Sequence, residues 1–152
     1  SHHLGKNSQG MKMIKHFVIA IIVITILSCG RDEPIANYEP ESPEEEALKN
    51  VLMDFQNGVN NRDSKQIINL IHEDASIMTG RERKVLTKAE YFKILPKRLA
   101  DNPPIALGKP KMAISGGQAE VKTYITRGEY RGLLVFNMKR VGNKWYIQGW
   151  KY

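Results

Sequence analysis

The sequence is poor in the residues from which proteins build covalent cross-links and metal sites. Among its 152 residues there is one cysteine, Cys29, so no disulfide can form within the chain. Only one of its four histidines, His72, lies after His16, and a zinc site in the rest would need more histidine or cysteine than is present. No glycine-rich phosphate loop follows an expected strand, and no serine stands in a nucleophile-elbow pattern. We therefore expect neither a metal nor a cofactor.

A long hydrophobic run is also missing. The most apolar stretch extends from Phe17 to Leu27, well short of the roughly 20 residues that a transmembrane helix needs. Lys12 and Lys15 precede this stretch, and a small residue, Ser28, follows it. A basic start, a short apolar run and a small residue are typical of a secretory signal peptide. We interpret residues 11–28 as a signal peptide and residues 1–10 as an expression or upstream remnant outside the fold.

The single cysteine stands directly after this signal. Residues 26–29, Ile-Leu-Ser-Cys, resemble a bacterial lipobox, which has an aliphatic residue three positions before the cysteine and a small one directly before it. In proteins with that motif the thiol receives a diacylglycerol and the signal is cut before the cysteine. The resemblance implies lipidation of Cys29 and a membrane anchor in a bacterial cell envelope. Gly30 follows, where an aspartate would favour the inner membrane, so we expect the outer membrane.

Charge divides the rest of the chain into an acidic leader and a basic body. Residues 29–43 are acidic, contain three prolines and have few apolar side chains, so we predict a disordered tether there. From Ala47 onward, lysine and arginine outnumber aspartate and glutamate. In a cytosolic protein such charge would suggest nucleic acid. On a secreted, lipid-anchored body we expect solvated side chains or anionic envelope surfaces, and no nucleic acid partner.

Three N-capping patterns predict three helices. Ser42, Asp63 and Thr87 each precede a stretch with helical spacing of apolar residues, and a glutamate or glutamine follows each of them three positions on. We predict that Gly58 and the following polar residues end the first helix. Pro96 falls inside the third helix, where it removes an N–H and clashes one turn back, so we expect it to kink or split that helix.

From Pro104 the apolar spacing changes to two, which is typical of strands. A strand is predicted over 104–115, followed by three more that are separated by short turns at Gly116, Gly128 and Gly142. A shorter strand is predicted over 75–78. Helices followed by an antiparallel meander predict an α+β fold.

This order of elements resembles the nuclear transport factor 2-like superfamily, which includes ketosteroid isomerase and the polyketide cyclases. The resemblance covers residues 44–152. It rests on "VLMDFQNGVNNRDSKQIINLIHEDASIM" (51–78) and on the aromatic ending "NKWYIQGWKY" (143–152). It implies N-terminal helices packed on a strongly curved antiparallel sheet, in a cone or cystatin-like roll with an internal pocket. It also implies that a homodimer could form through the sheet.

The chemistry of ketosteroid isomerase does not carry over to this sequence. Aligned without gaps, Phe55 stands at the position of the tyrosine that donates to the oxyanion, and Thr79 stands at that of the aspartate base. Phenylalanine cannot donate a hydrogen bond, and threonine cannot take a proton near neutral pH. The second oxyanion acid would fall near 136–138, where there is no acidic residue.

The remaining candidates for catalysis are His72 as a general base, Asp74 as its partner, and Tyr91. Strand parity predicts that one set of meander side chains faces inward, and a second set should join it from other elements. The first set includes Met112, Thr123, Phe136, Met138 and Trp145, and the second is Phe55, Met78 and Tyr91. Together they either line an apolar cavity or simply fill the core. The favoured hypothesis is an envelope lipoprotein whose domain binds a small apolar ligand or an envelope partner without catalysis. The alternatives are an enzyme of the cyclase or isomerase type with an unrecognised active site, and a dimerisation module using the sheet around Tyr124 and Tyr146.

Overall fold

The computed structural model describes residues 33–80 and 82–152, so the predicted signal peptide, Cys29 and the start of the predicted tether lie outside the described residues. The described part begins with a 3-10 turn at Ile35–Asn37 and contains three α-helices and seven strands. The helices are α1 (Pro43–Asn60), α2 (Ser64–Asn69) and α3 (Lys88–Asp101). The strands are β1 (Ile71–Met78), β2 (Val85–Thr87), β3 (Ile105–Leu107), β4 (Lys111–Ser115), β5 (Gln118–Arg127), β6 (Tyr130–Val141) and β7 (Lys144–Lys151).

The three predicted caps start the three helices. The Ser42 hydroxyl accepts the Glu45 amide at 3.1 Å, and Asp63 caps α2 in the same way. At α3 the pairing is reciprocal, because Thr87 Oγ1 accepts the Glu90 amide while the Glu90 carboxylate accepts the Thr87 amide. Each cap satisfies a backbone N–H that has no partner inside its own helix. No helix in residues 33–80 and 82–152 is long and apolar enough to span a bilayer.

The proline in α3 does not split the helix, which was one of the two outcomes predicted from the sequence. A single helix runs from Lys88 to Asp101 with Pro96 inside it. Pro96 lies on the exposed side, as does Phe92, whose carbonyl loses its usual partner one turn further on. Water can bond to that carbonyl there. The opposite face of the helix is buried, and its burial holds the two halves together.

Antiparallel pairing from β4 to β7 confirms the predicted meander, and the whole arrangement confirms the α+β fold class. The sheet order is β2-β1-β7-β6-β5-β3, with β4 also paired to β5 and with β1 running parallel to β7. The strand predicted over 104–115 is two strands, because the chain leaves the ladder at Gly108 and rejoins β5 further along it. The strand predicted over 75–78 begins earlier, at Ile71, and β2 was not predicted.

The core lies between the helices and the concave face of the curved sheet. Leu48, Leu52 and Phe55 face it from α1, and Tyr91, Leu95 and Leu99 face it from α3. The predicted strand parity holds along β5 and β6, and it fails in β7 beyond the register shift, where Trp150 also turns inward. The strand side chains that enter the core include Val121, Thr123, Leu134, Phe136, Met138, Trp145 and Ile147, while Met112 and Ile114 are half-buried. Residues 33–152 thus form one unit with its own hydrophobic core.

Residues 33–40, which we call the strap, are ordered, which corrects the predicted disorder over the described part of the tether. The Glu33 carbonyl accepts the Lys109 amide at 2.8 Å, and the two side chains form an ion pair at 3.0 Å. Ile35 is only 1% exposed and belongs to the core. Lys49 Nζ donates to the carbonyls of Ala36 and Tyr38. One isoleucine and a few backbone bonds are enough to hold an otherwise polar segment.

Candidate functional site

The pocket expected inside the cone is almost filled. What we call the inner cavity measures about 50 Å³. Pockets for small molecules usually measure about 300–1,000 Å³, and one water takes about 30 Å³ in the liquid. The lining residues of the inner cavity include Phe55, Met78 and Tyr91. The remaining space suits one or two waters, so these side chains act chiefly as core.

Aromatic side chains occupy the space that a ligand would need. The Trp150 ring meets Phe55, Tyr91 and Phe136 edge to face, with ring centroids 5.5, 5.3 and 6.1 Å apart. Sequence analysis missed Trp150, since strict alternation from Trp145 would point it outward. The register of β7 against β6 shifts in this region, and that shift turns Trp150 inward. A glycine inside a strand, here Gly149, is the one sequence signal of such an irregularity.

The other predicted pocket-lining residues do not line the inner cavity. Met112 is half-buried, and the buried ones are Thr123, Phe136, Met138 and Trp145. Thr123 donates its hydroxyl to the Gly108 carbonyl at 2.7 Å, where it holds the break between β3 and β4. Thr79, at the position of the isomerase base, donates to the Lys84 carbonyl at 3.2 Å and so closes a turn.

Of the three candidate catalytic residues, His72 and Asp74 lie side by side, and neither lies beside Tyr91 at the inner cavity. His72 lies on β1, rather than at the end of α2, and its ring packs edge-on against Tyr146 at 5.9 Å. The Asp74 amide donates to His72 Nδ1 at 3.1 Å, while the Asp74 carboxylate stands 4.0 Å from the same nitrogen and is exposed. Neither residue lines the inner cavity beside Tyr91. The described residues also hold no cluster of three metal-ligating side chains.

An open cleft lies at the mouth of the cone, next to the inner cavity. We call it the mouth cleft; it measures about 710 Å³. Its lining residues are Gly80, Glu82, Arg98, Asn102, Arg127, Tyr130 and Tyr152. Arg98 and Arg127 also line the inner cavity, so they stand where the two spaces meet. Asn102 positions this end of α3, because its side-chain amide donates to the Arg98 carbonyl at 2.6 Å.

The charges of Arg98 and Arg127 and the hydroxyls of Tyr91 and Tyr152 define the electrostatics of this region. Burial raises the pKa of the Tyr91 hydroxyl well above its usual value, and the charges of Arg98 and Arg127 oppose the rise. Burial likewise raises the pKa of Tyr152, again opposed by Arg127. Both phenols are therefore neutral hydrogen-bond donors near neutral pH. Within the described part, Arg127 Nε is buried without a hydrogen-bond partner, which typically costs about 1–3 kcal/mol.

A second groove adjoins the mouth cleft along the outer side of α3. This side groove measures about 470 Å³, and Arg98, Asn102 and Glu82 line both spaces. Its other charged residues are Lys84, Lys93, Lys97 and Asp101. From the sequence, Arg98 and Arg127 were predicted only as part of a basic body, either solvated or facing anionic envelope surfaces. The signal for their convergence is tertiary, since Arg98 lies in the last turn of a helix and Arg127 ends a strand.

Comparison with solved structures identifies the fold. An NTF2-like protein from Cytophaga hutchinsonii matches with a TM-score of 0.62 and 13% identity, over 72% of this chain and 96% of that one. A protein of unknown function with a cystatin-like fold, from Nostoc punctiforme, matches with a TM-score of 0.61 and 11% identity, over 72% and 90%. The described domain has the nuclear transport factor 2-like fold. The family resemblance read from the sequence is thus confirmed at the level of the fold.

The same nuclear transport factor 2-like fold carries different functions in other proteins. A protein named for ketosteroid isomerase, from Shewanella frigidimarina, matches with a TM-score of 0.59 and 18% identity, over 69% of this chain and 94% of that one. No protein-family model matches this chain, and no curated protein does. At such identities the likeness extends to the fold alone, so function has to be argued from the residues of the site.

Proposed function

We propose that this chain is an envelope lipoprotein, anchored by acyl chains on Cys29, whose domain binds a ligand or an envelope partner without catalysis. The lipobox-like residues 26–29 support the anchor. One acyl chain holds a protein only marginally, whereas two or three on one residue hold it firmly. Gly30 in place of an aspartate favours the outer membrane.

The filling of the cone is the observation that carries the binding part of this proposal. With about 50 Å³ inside, the cone has no room for the small apolar ligand that the sequence suggested. The open volume lies at the mouth cleft instead. We therefore assign binding to the mouth cleft, with Arg98, Arg127 and Tyr152 as the residues that a ligand or partner would meet.

The residues around the mouth favour binding over catalysis. A general base must accept a proton near neutral pH. The charged and phenolic groups that influence the pKa of the Tyr91 hydroxyl are Tyr152, Arg98 and Arg127. None of them is a carboxylate or an imidazole that could take up a proton. Among the described lining residues of the mouth cleft, Glu82 is the one carboxylate, and it is exposed. Donors and fixed positive charge suit recognition of a negative group more than proton abstraction.

The strap gives the anchor a short reach. The described, ordered chain begins at Glu33, four residues after Cys29. A fully extended chain of that length spans about 14 Å. A body on acylated Cys29 would therefore work at the bilayer surface, and not on a long flexible tether.

Metabolic labelling with palmitate tests the anchor. We expect the full chain, produced in a bacterium, to incorporate label and to fractionate with membranes, while Cys29→Ser does neither. Ser28→Gly is the matched control, because it keeps a small residue before the cysteine and should keep the label. Equal labelling of the Cys29→Ser variant, or no labelling of the unmodified chain, would refute the anchor.

Native mass spectrometry of the chain extracted from its membranes tests the binding function. We expect a co-purified small molecule or partner, and we expect Arg98→Ala to lose it. An Arg140→Ala variant is the matched control, since Arg140 pairs with Glu44 away from the cleft. Retention of the same species by Arg98→Ala would contradict the assignment to the mouth cleft.

A homodimer through the outer face of the sheet is the second candidate. Tyr124 and Leu133 are 42% and 43% exposed and are direct cross-strand partners on β5 and β6. Together they offer a partly apolar surface, with the Arg131 guanidinium lying over the Tyr124 ring at 3.9 Å. Sedimentation should show a dimer that Tyr124→Glu dissociates, while Val85→Glu, at the far edge of the sheet, leaves it intact. A monomer in all three samples would eliminate this candidate.

A further inference from the structure

We propose that the mouth cleft is a binding site for a small oxyanion, the carboxylate or phosphate group of a ligand, held between Arg98 and Arg127. This specifies the ligand class for the binding function proposed above and rests on the same cleft. Neither the sequence pattern nor the fold comparisons assign such a site.

The two guanidinium groups converge from different elements. Arg98 lies in the last turn of α3, and Arg127 is the last residue of β5. Both line the junction of the mouth cleft with the inner cavity. In the part of the chain that the structure describes, neither of them pairs with a carboxylate. The fold thus brings two uncompensated cations to one end of the cone.

The buried nitrogen of Arg127 is an independent observation that points to a ligand. Its Nε is out of contact with solvent and finds no acceptor among the described residues. Buried donors in folded proteins almost always have a partner. Arg140, by comparison, donates from Nη1 to the Glu44 carboxylate at 3.1 Å. Arg127 lines both the inner cavity and the mouth cleft, so a small shift of its side chain toward the cleft would bring Nε to an oxyanion oxygen bound there.

The surroundings favour an anion over a neutral or cationic ligand. The side groove that continues from Arg98 adds Lys84, Lys93 and Lys97 against Asp101 and Glu82. A cleft with an excess of one sign of charge concentrates ligands of the opposite sign. The phenols of Tyr130 and Tyr152 at the rim add hydroxyl donors and ring surfaces.

The chemistry of arginine sets the class of anion. A guanidinium presents parallel N–H donors that match two oxygens of a carboxylate or phosphate. Two such groups can share one oxyanion, with Arg127 giving its Nε and Arg98 approaching from the helix end. A lysine at either place would keep the charge but lose the paired donors.

Nitrogen-15 NMR of the arginine side chains tests the site directly. The sample is the full chain from bacterial membranes in a nonionic maltoside detergent, which adds no anion of its own. Inorganic phosphate and benzoate are titrated separately at constant ionic strength. We expect saturable shifts of the Arg98 and Arg127 Nε–H signals with at least one probe. Saturation by phosphate alone assigns a phosphate-bearing ligand, and saturation by benzoate alone assigns a carboxylate.

Conservative variants separate binding from general charge. Arg127→Lys and Arg98→Lys should each weaken binding about tenfold, because charge is kept and paired donors are lost. Arg140→Lys is the matched control and should bind as the unmodified chain does. If one variant fails to fold, the other still decides. Shifts that do not saturate with either probe, or cleft variants that bind as tightly as the unmodified chain, would overturn the site. With palmitate labelling intact, that outcome would leave the anchored lipoprotein standing.

Discussion

Ile35→Ala tests whether the strap is part of the folded domain. The substitution removes three carbon atoms from a side chain that is 1% exposed. At about 0.8 kcal/mol per buried carbon, the transfer loss is about 2.4 kcal/mol, and a residual cavity adds to it. The strap lies at the edge of the core and can partly collapse onto the space. We therefore expect the free energy of unfolding to fall by about 2–3 kcal/mol.

Urea unfolding followed by tryptophan fluorescence measures this loss, since Trp145 and Trp150 are both buried. Val141→Ala is the control: the side chain is 48% exposed, so the free energy of unfolding should change by less than about 0.5 kcal/mol. Hydrogen exchange at the Lys109 amide, bonded to the Glu33 carbonyl, reports detachment of the strap alone. If Ile35→Ala matched Val141→Ala in both measurements, residues 33–40 would be the loose tether that the sequence suggested.

Three further predictions concern the rest of the domain. Gly149→Ala should lower the free energy of unfolding by about 3 kcal/mol, because the added Cβ would collide with the Ser76 carbonyl on β1. Gly117→Ala is the control: the atom nearest to its added Cβ is 3.8 Å away, so this variant should unfold in urea like the unmodified chain. Because burial raises the pKa of Tyr91 in the folded chain, above about pH 10 the unfolded chain releases a proton that the folded chain keeps. The free energy of unfolding should therefore fall as pH rises, and less steeply in Tyr91→Phe. Thermal melts at several pH values would reveal the difference. Thr87→Ala removes the α3 cap and should lower the free energy of unfolding, measured by thermal melts, by about 1 kcal/mol. No change would mean that the cap is redundant.

Local chemistry explains how much of the fold the sequence predicted. Caps at Ser42, Asp63 and Thr87 act within one helical turn, and alternation along β5 and β6 acts within one strand, so both can be read from neighbouring residues. The strap could not be read this way. Its order depends on where Ile35 meets side chains that are distant in sequence, and its composition alone indicates disorder.

The candidate site was less predictable because its residues lie at the ends of a helix and a strand that are distant in sequence. The helical spacing of α1 and α3 is enough to place Phe55 and Tyr91 on their buried faces. Met78 has the opposite strand parity to the buried Ala75 and Ile77, so periodicity alone does not place it. Arg98 and Arg127 end their elements, and periodicity does not tell which ends meet. The inner volume was not predictable either, because one shift of register in β7 decides whether Trp150 fills it.

That shift also bears on what the fold can do in this chain. An open cone provides a dry pocket in which charge and proton transfer are strongly felt. With Trp150 packed against the rings of Tyr91 and Phe136, the inner cavity has no space for a substrate beside Tyr91. Recognition is then left to the rim, where side chains from different elements meet at the end of the filled cone. A Trp150→Ala variant should reopen the interior; if it then bound apolar molecules while losing none of its affinity for oxyanions, the filling and the rim site would be shown to be independent features of the molecule.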